Sequence, residues 1–241
     1  MSLVPSTTET LFALGAEERV VGVTRFCVHP EHARRSARIV GGTKNPAIER
    51  IFELEPDLVL ANEEENRRED VEALRARVPV RVAFPRSLDD AVRDIRSLGA
   101  LLGSPERGAA LADEIEAARV GLPARPFRYL YLIWRRPYMA AGPGTFLDSF
   151  LGEAGGVNAA PADRGRYPEL EDSEIAGSGA DVVLLSSEPF PFRDEHRDEL
   201  APRFPRERIL LVDGELLSWH GVRLREGVPY LRQLARSVDR C

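Results

Sequence analysis

Hydrophobic positions along the chain form short continuous runs that alternate with segments in which apolar residues recur at helical spacing. The run 57–61 is continuously apolar after its first residue, which is typical of a strand buried on both faces. Segments such as 67–77 show the helical spacing instead. The alternation predicts βα units and an α/β fold with mostly parallel sheets. In the N-terminal half we predict strands at 2–5, 20–23, 57–61 and 80–84, and helices at 48–54, 67–77 and 88–102. A further helix is predicted to have Thr7 or Thr8 as its N-cap and to end at Gly15.

A strongly marked helix lies in the middle of the chain. Ser104 supplies an N-cap hydroxyl, Pro105 suits the first helical position, and Glu106 places an acid near the positive end of the helix dipole. Gly121-Leu122-Pro123 ends the helix. A helix from 104 to about 120 is roughly 25 Å long, at 1.5 Å per residue.

The alternation of strands and helices resumes after residue 126, and one pattern of the first half recurs there. Ile51-x5-Asp57 is repeated as Ile175-x5-Asp181, with a buried apolar run after each Asp. This repeat favours two similar halves. We predict two Rossmann-like lobes joined by one long backbone helix. The predicted divisions are an N-terminal lobe at 1–103, the linking helix at 104–121, and a C-terminal lobe at 122–241 with strands at 128–134, 181–186 and 209–213 and helices at 145–152 and 227–238.

The charge balance limits the classes of partner. The chain has 241 residues, with 33 basic and 39 acidic side chains and a formal net charge of −6. Nucleic acid normally needs a basic face, so no nucleic-acid partner is predicted. No segment approaches the ~18 consecutive apolar residues of a membrane-spanning helix. The first five residues show no signal peptide, so we expect either a cytoplasmic protein or one whose leader has been removed.

Common catalytic motifs are absent from the sequence, which contains no P-loop, no dinucleotide fingerprint and no Gly-x-Ser-x-Gly elbow. One cluster, Cys27-x-His29-x2-His32, has the residue types of a zinc site, but a closed site needs a fourth ligand. We favour a loop with exposed imidazoles and predict no resident metal. The other cysteine, Cys241, is the last residue, and no disulfide framework is predicted.

Large aromatic side chains are concentrated in the second half, where 13 of the 17 lie after residue 126. Several follow the predicted strands, and open α/β sheets bind ligands beyond the carboxyl ends of their strands. Rings there suit a flat or bulky ligand, and ordinary core packing is the alternative. The rings concerned are Trp134, Tyr138, Tyr167, Phe190, Phe192 and Trp219.

Three segments resemble the class III substrate-binding proteins of ABC importers, which carry cobalamin, ferric siderophores or haem. They are 2–11 (SLVPSTTETL), 20–24 (VVGVT) and 49–61, with Pro56-Asp57-Leu58-Val59-Leu60-Ala61 at its end. The resemblance is greatest to the cobalamin receptors of this family. It implies two α/β lobes joined by a helix, a ligand held in the cleft between them, a periplasmic or cell-surface location, and a monomeric receptor with no enzymatic activity and no catalytic cofactor. A membrane permease is the implied protein partner.

The resemblance also implies roles for particular residues. Glu49, and Glu174 with a displacement of one position, match the acids that dock on the permease. Tyr167 keeps an aromatic of the cobalamin receptors, and Glu215 falls near a ligand-contacting acid. Candidate ring contacts are Phe26, Trp134, Tyr138, Phe190 and Trp219. Candidate hydrogen-bonding groups for corrin amides are Asn45, Asn62, Glu65 and Asn66. Cationic anchors for a catecholate siderophore would be Lys44, the only lysine of the chain, with Arg86, Arg135 and Arg136.

A receptor for a ferric siderophore or haem is the first alternative to a corrinoid receptor, and two further alternatives remain open. A cytoplasmic enzyme or sensor for a corrinoid or metal chelate would need a proton-handling group, with His29, His220 and Glu65 as candidates. A zinc or manganese receptor would need more converging ligands than the four histidines of the chain offer. His29 or His220 is also a candidate axial ligand to cobalt or iron, ranked below a simple hydrogen-bonding role.

Overall fold

The computed structural model describes residues 1–238, and Cys241 lies outside them. The chain divides into two compact units. Unit 1 comprises Met1–Pro85, Asp89–Ile115 and His220–Arg223, and unit 2 comprises Arg86–Leu88, Glu116–Trp219 and residues 224–238. The central helix therefore begins in unit 1 and ends in unit 2. Four residues within the predicted C-terminal lobe pack in unit 1.

Ser2 joins the strands of unit 1 into one parallel arrangement. It makes parallel bridges to Val23 on one side and to Leu60 on the other. The strand predicted at 2–5 is wrong beyond Ser2, because Pro5 already begins a helix. The strands are β1 (Gly22–Val23), β2 (Arg38–Ile39), β3 (Val59–Asn62) and β4 (Val80–Ala83), with β1 parallel to β2 and β3 parallel to β4.

The first helix of the chain begins at Pro5, which tolerates the first helical position because the N–H it lacks would have no helical partner there. The predicted N-cap role of Thr7 or Thr8 is wrong. Thr8 lies inside the helix, and its hydroxyl donates to the carbonyl of Val4 at 3.0 Å. The helices that lie wholly or partly in unit 1 are α1 (Pro5–Ala13), α2 (Ala33–Ser36), α3 (Ile48–Glu53), α4 (Arg68–Arg75), α5 (Leu88–Leu101) and α6 (Pro105–Arg119).

The core of unit 1 forms around β3. All four residues of this strand are buried, which confirms the strand predicted from the apolar run 57–61, shifted by one or two residues. Side chains from the chain start, from α3 and from α4 pack with it. The buried cluster consists of Met1, Leu3, Val40, Ile51, Val59, Leu74 and Val78.

Unit 2 contains a six-stranded sheet with one long strand at its centre. The parallel strands on either side of it are typical of α/β units, but two short strands pair antiparallel. Strands of two or three residues are too short for an alternating pattern, so the sequence does not reveal them. The strands are β5 (Phe127–Trp134), β6 (Tyr138–Ala140), β7 (Gly156–Asn158), β8 (Glu169–Leu170), β9 (Val182–Ser186) and β10 (Ile209–Val212), of which β6 and β8 are antiparallel to their neighbours.

Helices of unit 2 complete the α/β fold class that the sequence predicts, and this class is confirmed. The last helix begins at Leu224, three residues before the predicted start. None of the described helices is long and apolar enough to cross a membrane. The helices are α7 (Phe146–Gly152), α8 (Asp172–Ala176), α9 (Asp194–Leu200), α10 (Gly214–Ser218) and α11 (Leu224–Val238).

Candidate functional site

The loops that follow the strands of unit 1 lie at one edge of its sheet, because the strands run parallel. Side chains join these loops to one another. Asn66 Nδ2 donates to the carbonyl of Thr43 at 2.9 Å, and the ammonium of Lys44 donates to the carbonyl of Glu64. The structure therefore brings together predicted ligand residues from three loops, namely Phe26, Lys44, Asn45, Glu65 and Asn66. His29 lies in the same loop as Phe26.

Asn62 and Asn66 build the loop that follows β3. Asn62 Oδ1 accepts hydrogen bonds from the backbone N–H groups of Glu64 (2.8 Å) and Glu65 (3.2 Å). Asn66 Oδ1 accepts from the N–H of Asn62 at 2.9 Å. Both asparagines are buried, at 2% and 4% exposure, so their amides hold the shape of the loop. Direct contact of either amide with a ligand stays a prediction.

Glu65 is the acid of this loop whose environment is most unusual. Burial raises its pKa above the ordinary value, and the nearby Glu64 acts in the same direction. The charge of Lys44 and a hydrogen bond with Thr43 act in the opposite direction. A carboxyl group in such surroundings is suited to hydrogen bonding with a polar group of a ligand, as predicted for this residue.

Phe26 presents an exposed ring at the same edge of unit 1, with 50% of its surface accessible. The guanidinium carbon of Arg25 lies 5.3 Å from the ring centroid, and Arg25 Nη2 donates to Asn45 Oδ1 at 3.2 Å. A Cβ on Gly42 would lie 2.4 Å from that Asn45 oxygen and 3.2 Å from Phe26 Cε2. The missing side chain at position 42 therefore lets ring, guanidinium and amide pack as one group.

The cysteine and histidines of the sequence cluster do not converge. Cys27 is a fully buried free thiol whose pKa is raised by burial. His32 instead contacts Phe12 edge-on, with ring centroids 5.4 Å apart, and His29 is partly exposed in the loop. Within residues 1–238, no three His, Cys, Asp or Glu side chains are grouped so that they could hold a metal ion. This arrangement agrees with the loop interpretation of the cluster.

His220 lies in unit 1, far along the chain from the residues it contacts. Its Nε2 is 3.2 Å from Asn62 Nδ2 and 3.4 Å from Ser6 Oγ. Because Asn62 Oδ1 is used by two N–H groups, Nδ2 is the donor, Nε2 accepts, and the proton resides on Nδ1. Burial lowers the pKa of His220 to about 4, although Asp94 acts in the opposite direction. The engagement of Nε2 favours the predicted hydrogen-bonding role over axial coordination by this nitrogen.

The predicted cationic anchors differ in their exposure and in their carboxylate partners. Arg86 and Arg136 are exposed. Arg135 is paired with Glu199, its Nε donating to Oε1 at 3.1 Å, and the hydroxyl of Tyr138 donates to the same oxygen at 3.1 Å. The ring of Tyr138 is 8% exposed and belongs to the core of unit 2. The core-packing alternative therefore describes Tyr138, and Arg135 has its own carboxylate.

Glu188 organises the carboxyl edge of the sheet in unit 2. Its Oε1 accepts from Trp219 Nε1 at 2.8 Å and from Ser218 Oγ at 3.0 Å. The Glu188 N–H donates to Ser186 Oγ at 3.2 Å, and this hydroxyl also accepts from Tyr131 OH at 3.0 Å. The loops after β9 and β10 are thereby joined, and the indole of Trp219 is fixed by an acid that the sequence analysis did not single out.

Trp134, at the end of β5, and Phe190, in the loop after β9, lie at the same edge of unit 2. Trp134 is 41% exposed and packs edge-on against Phe190, with ring centroids 5.9 Å apart. Phe192 is buried behind Phe190 and belongs to the core. Tyr167 is 42% exposed, and Glu215 lies in the first turn of α10. Exposed rings therefore remain at Trp134 and Tyr167.

A comparison with protein families decides the family. The family model described as periplasmic binding protein matches residues 1–204. The chain belongs to the periplasmic binding protein family. A cobalamin-binding protein of Halobacterium salinarum is 31% identical over 76% of this chain, and the match spans 52% of that relative, or about half its length.

Solved structures of periplasmic binding proteins have the same fold. The periplasmic vitamin B12 binding protein of Vibrio cholerae superposes with a TM-score of 0.86 at 20% identity, covering 100% of this chain and 97% of the other. The periplasmic haem-binding protein of Roseiflexus sp. RS-1 superposes with a TM-score of 0.81 at 29% identity, covering 98% and 96%. These matches show that the chain shares this fold over nearly its whole length.

The two predicted docking acids of this periplasmic binding protein have different surroundings. Glu49 is exposed in the first turn of α3. The carboxylate of Glu174 accepts from the N–H of Glu171 at 2.8 Å and is paired with Arg164. Both docking roles stay predictions. Glu174 also lines an open cavity of about 330 Å³ in unit 2, together with Leu130, Ala159, Pro161, Leu170, Ser173, Gly177 and Ser178.

Three residues with evident roles were missed from the sequence. Arg25 had a local signal, because it directly precedes the exposed Phe26. Glu188 also had one, since it is an acid two positions after a buried strand. Ser6 had none, because its partner His220 is 214 residues away.

Proposed function

We propose that this periplasmic binding protein is the receptor of an ABC importer for a corrinoid such as cobalamin, which it hands to the permease unchanged. The observation that carries the proposal is the set of rings presented beyond the carboxyl ends of parallel strands, with Phe26 in unit 1 and Trp134 in unit 2. Large exposed rings are suited to covering the flat, partly apolar face of a corrin. The named cobalamin-binding relative supports this ligand class. The proposed location is outside the cytoplasm.

Haem is the second candidate, and the arrangement around Phe26 favours it. Arg25 lies over the ring and Lys44 is on the neighbouring loop, so a ligand stacked on Phe26 would find two cations within reach for peripheral carboxylates. The haem-binding protein of Roseiflexus is a relative at 29% identity. The pairing of Arg135 with Glu199 weakens the case for a catecholate siderophore, since it occupies one of the predicted anchors.

Titration of the purified protein with cyanocobalamin, haemin and a ferric catecholate siderophore tests the proposal. We expect one-to-one binding of cyanocobalamin at micromolar or lower dissociation constants, measured by calorimetry and by quenching of Trp134 and Trp219 fluorescence. Binding of haemin alone would select the second candidate. No binding of any of the three would reject the receptor and favour the cytoplasmic enzyme or sensor.

Replacing Phe26 by alanine is expected to weaken binding of the ligand about tenfold, because stacking on the exposed ring contributes about 1–2 kcal/mol. The measurement is the dissociation constant by calorimetry. Val120→Ala provides a matched control, since Val120 is an exposed apolar side chain, at 76%, outside the loops at the strand ends. Equal affinity of both variants and the wild type would remove Phe26 from the site.

Replacing Glu49 by alanine is expected to leave ligand affinity unchanged and to weaken docking on the permease, because the side chain is exposed on α3. Uptake of the ligand into proteoliposomes that contain the permease measures docking. Glu53→Ala, an exposed acid at the other end of the same helix, is the control. Reduced ligand affinity of the Glu49 variant would contradict the docking role.

A further inference from the structure

The segment His220–Arg223, called the return segment below, belongs to unit 1, whereas the residues before and after it in the chain belong to unit 2. The chain leaves unit 2 after Trp219, packs four residues in unit 1, and re-enters unit 2 at Leu224. Trp219 is fixed to Glu188 in unit 2, whereas the next residue is bonded within unit 1. Adjacent residues of one peptide therefore take part in the side-chain networks of both units.

The return segment is firmly attached to α1. The N–H of Val222 donates to Thr10 Oγ1 at 3.0 Å, and Arg223 donates two hydrogen bonds to the carboxylate of Glu9 at 2.7 and 2.8 Å. Gly221 has a φ of +93°, and a Cβ there would lie 2.3 Å from Thr10 Oγ1. This close approach and this backbone conformation both need glycine. The segment thus has one defined position on unit 1.

Within the return segment, His220 contacts Asn62 at the start of the loop that follows β3. Its Nε2 accepts from Asn62 Nδ2, and the other end of that amide holds the N–H groups of Glu64 and Glu65. The imidazole therefore fixes the orientation of the amide that shapes the loop 63–66. Without an acceptor at position 220, the amide of Asn62 would keep a buried donor unsatisfied, and rotation to find a partner would release the loop.

We propose that His220 is a positioning residue for ligand binding, which holds the Asn62 amide and with it the loop that carries Glu65. It does so without contacting the ligand. The inference rests on the proposed function, since it assumes that Glu65 faces a ligand.

The variants that test it are His220→Gln and His220→Asn, which differ by one methylene. The side-chain oxygen of glutamine reaches the place of Nε2, whereas that of asparagine is too short. With cyanocobalamin and haemin as separate probes, we expect the Asn variant and His220→Ala to bind about tenfold more weakly than wild type, and the Gln variant to bind within about threefold. His32→Ala is the control, because His32 is exposed and contacts Glu17 and Phe12 instead of the loop 63–66.

Hydrogen exchange without ligand supplies a second readout. The amides of Glu64 and Glu65 are expected to exchange about tenfold faster in the Asn and Ala variants and at about the wild-type rate in the Gln variant. The amides of α11 serve as a control and should exchange at the same rate in all variants. Wild-type affinity and exchange in the Asn variant would overturn the inference, as would a Gln variant no better than the Asn variant. If His220→Ala does not fold, the Gln–Asn pair makes the same comparison. Failure of the wild type to bind either probe would reject the proposed function, and the exchange data would still decide whether His220 positions the loop.

Discussion

Replacing Arg223 by methionine is expected to lower the free energy of unfolding by about 3 kcal/mol, because it leaves the carboxylate of Glu9 without its partner. The two side chains form a bidentate ion pair in which Arg223 is 10% exposed and Glu9 is 18% exposed. Both nitrogen–oxygen distances are below 2.9 Å. A carboxylate in this position has lost much of its hydration and needs the guanidinium in its place. Urea denaturation followed by circular dichroism measures the change.

Two controls separate this effect from the loss of a charge in general. The double variant Glu9→Gln with Arg223→Met is expected to recover most of the loss, since it no longer contains an unpaired buried charge. Arg68→Met removes the partner of Glu72 from a surface pair with exposures of 90% and 56%, and it should cost less than about 1 kcal/mol. An Arg223 variant as stable as the Arg68 variant would show that the attachment of the return segment does not depend on this pair.

The general architecture was accessible from the sequence because the central strands β3 and β9 are fully buried. The run 57–61 and its counterpart at 181–186 have the continuous apolar pattern of parallel strands, and both are strands in the structure. The start of α1 was misjudged, because a threonine inside a helix can bond to the carbonyl four residues earlier as well as cap it. The antiparallel strands β6 and β8 have too few residues to show a pattern.

The candidate site was partly accessible for a similar reason. Loops that follow parallel strands gather at one edge, and Phe26 and Glu65 follow the strands predicted at 20–23 and 57–61. Lys44 follows β2, which the sequence does not predict. The hydrogen bonds by which Asn62 and Asn66 shape the loop after β3 could not be predicted, because the sequence does not distinguish an exposed asparagine from one that bonds to nearby backbone. The contact between Ser6 and His220 joins residues that are 214 positions apart, and only folding brings these two side chains together.

Stability is expected to fall as the pH is lowered from 7.5 to 5.0, and His220 should account for about 2 kcal/mol of this fall. Its pKa is about 4 in the folded protein and about 6.5 in the unfolded chain. Between these values the unfolded chain binds the extra proton and the folded protein does not, so the contribution is fully present above about pH 6.5 and is lost progressively toward pH 4. The physical cause is burial of the His220 ring beside the Asn62 Nδ2 donor. Protonation would place a second donor, the Nε2–H of the imidazolium, against that N–H group.

Comparison of the wild type with His220→Gln isolates this contribution. Urea denaturation of both proteins at pH 7.5 and 5.0 gives two changes in the free energy of unfolding, and their difference belongs to position 220. Glu65, whose pKa is raised, and Asp94, whose charge acts on His220, are present in both proteins, so their contributions largely cancel in the difference. The ion pair between Glu9 of α1 and Arg223 of the return segment is also common to both proteins. We expect the wild type to lose about 2 kcal/mol more than the variant over this interval, and equal losses would mean that His220 is not held neutral by its surroundings.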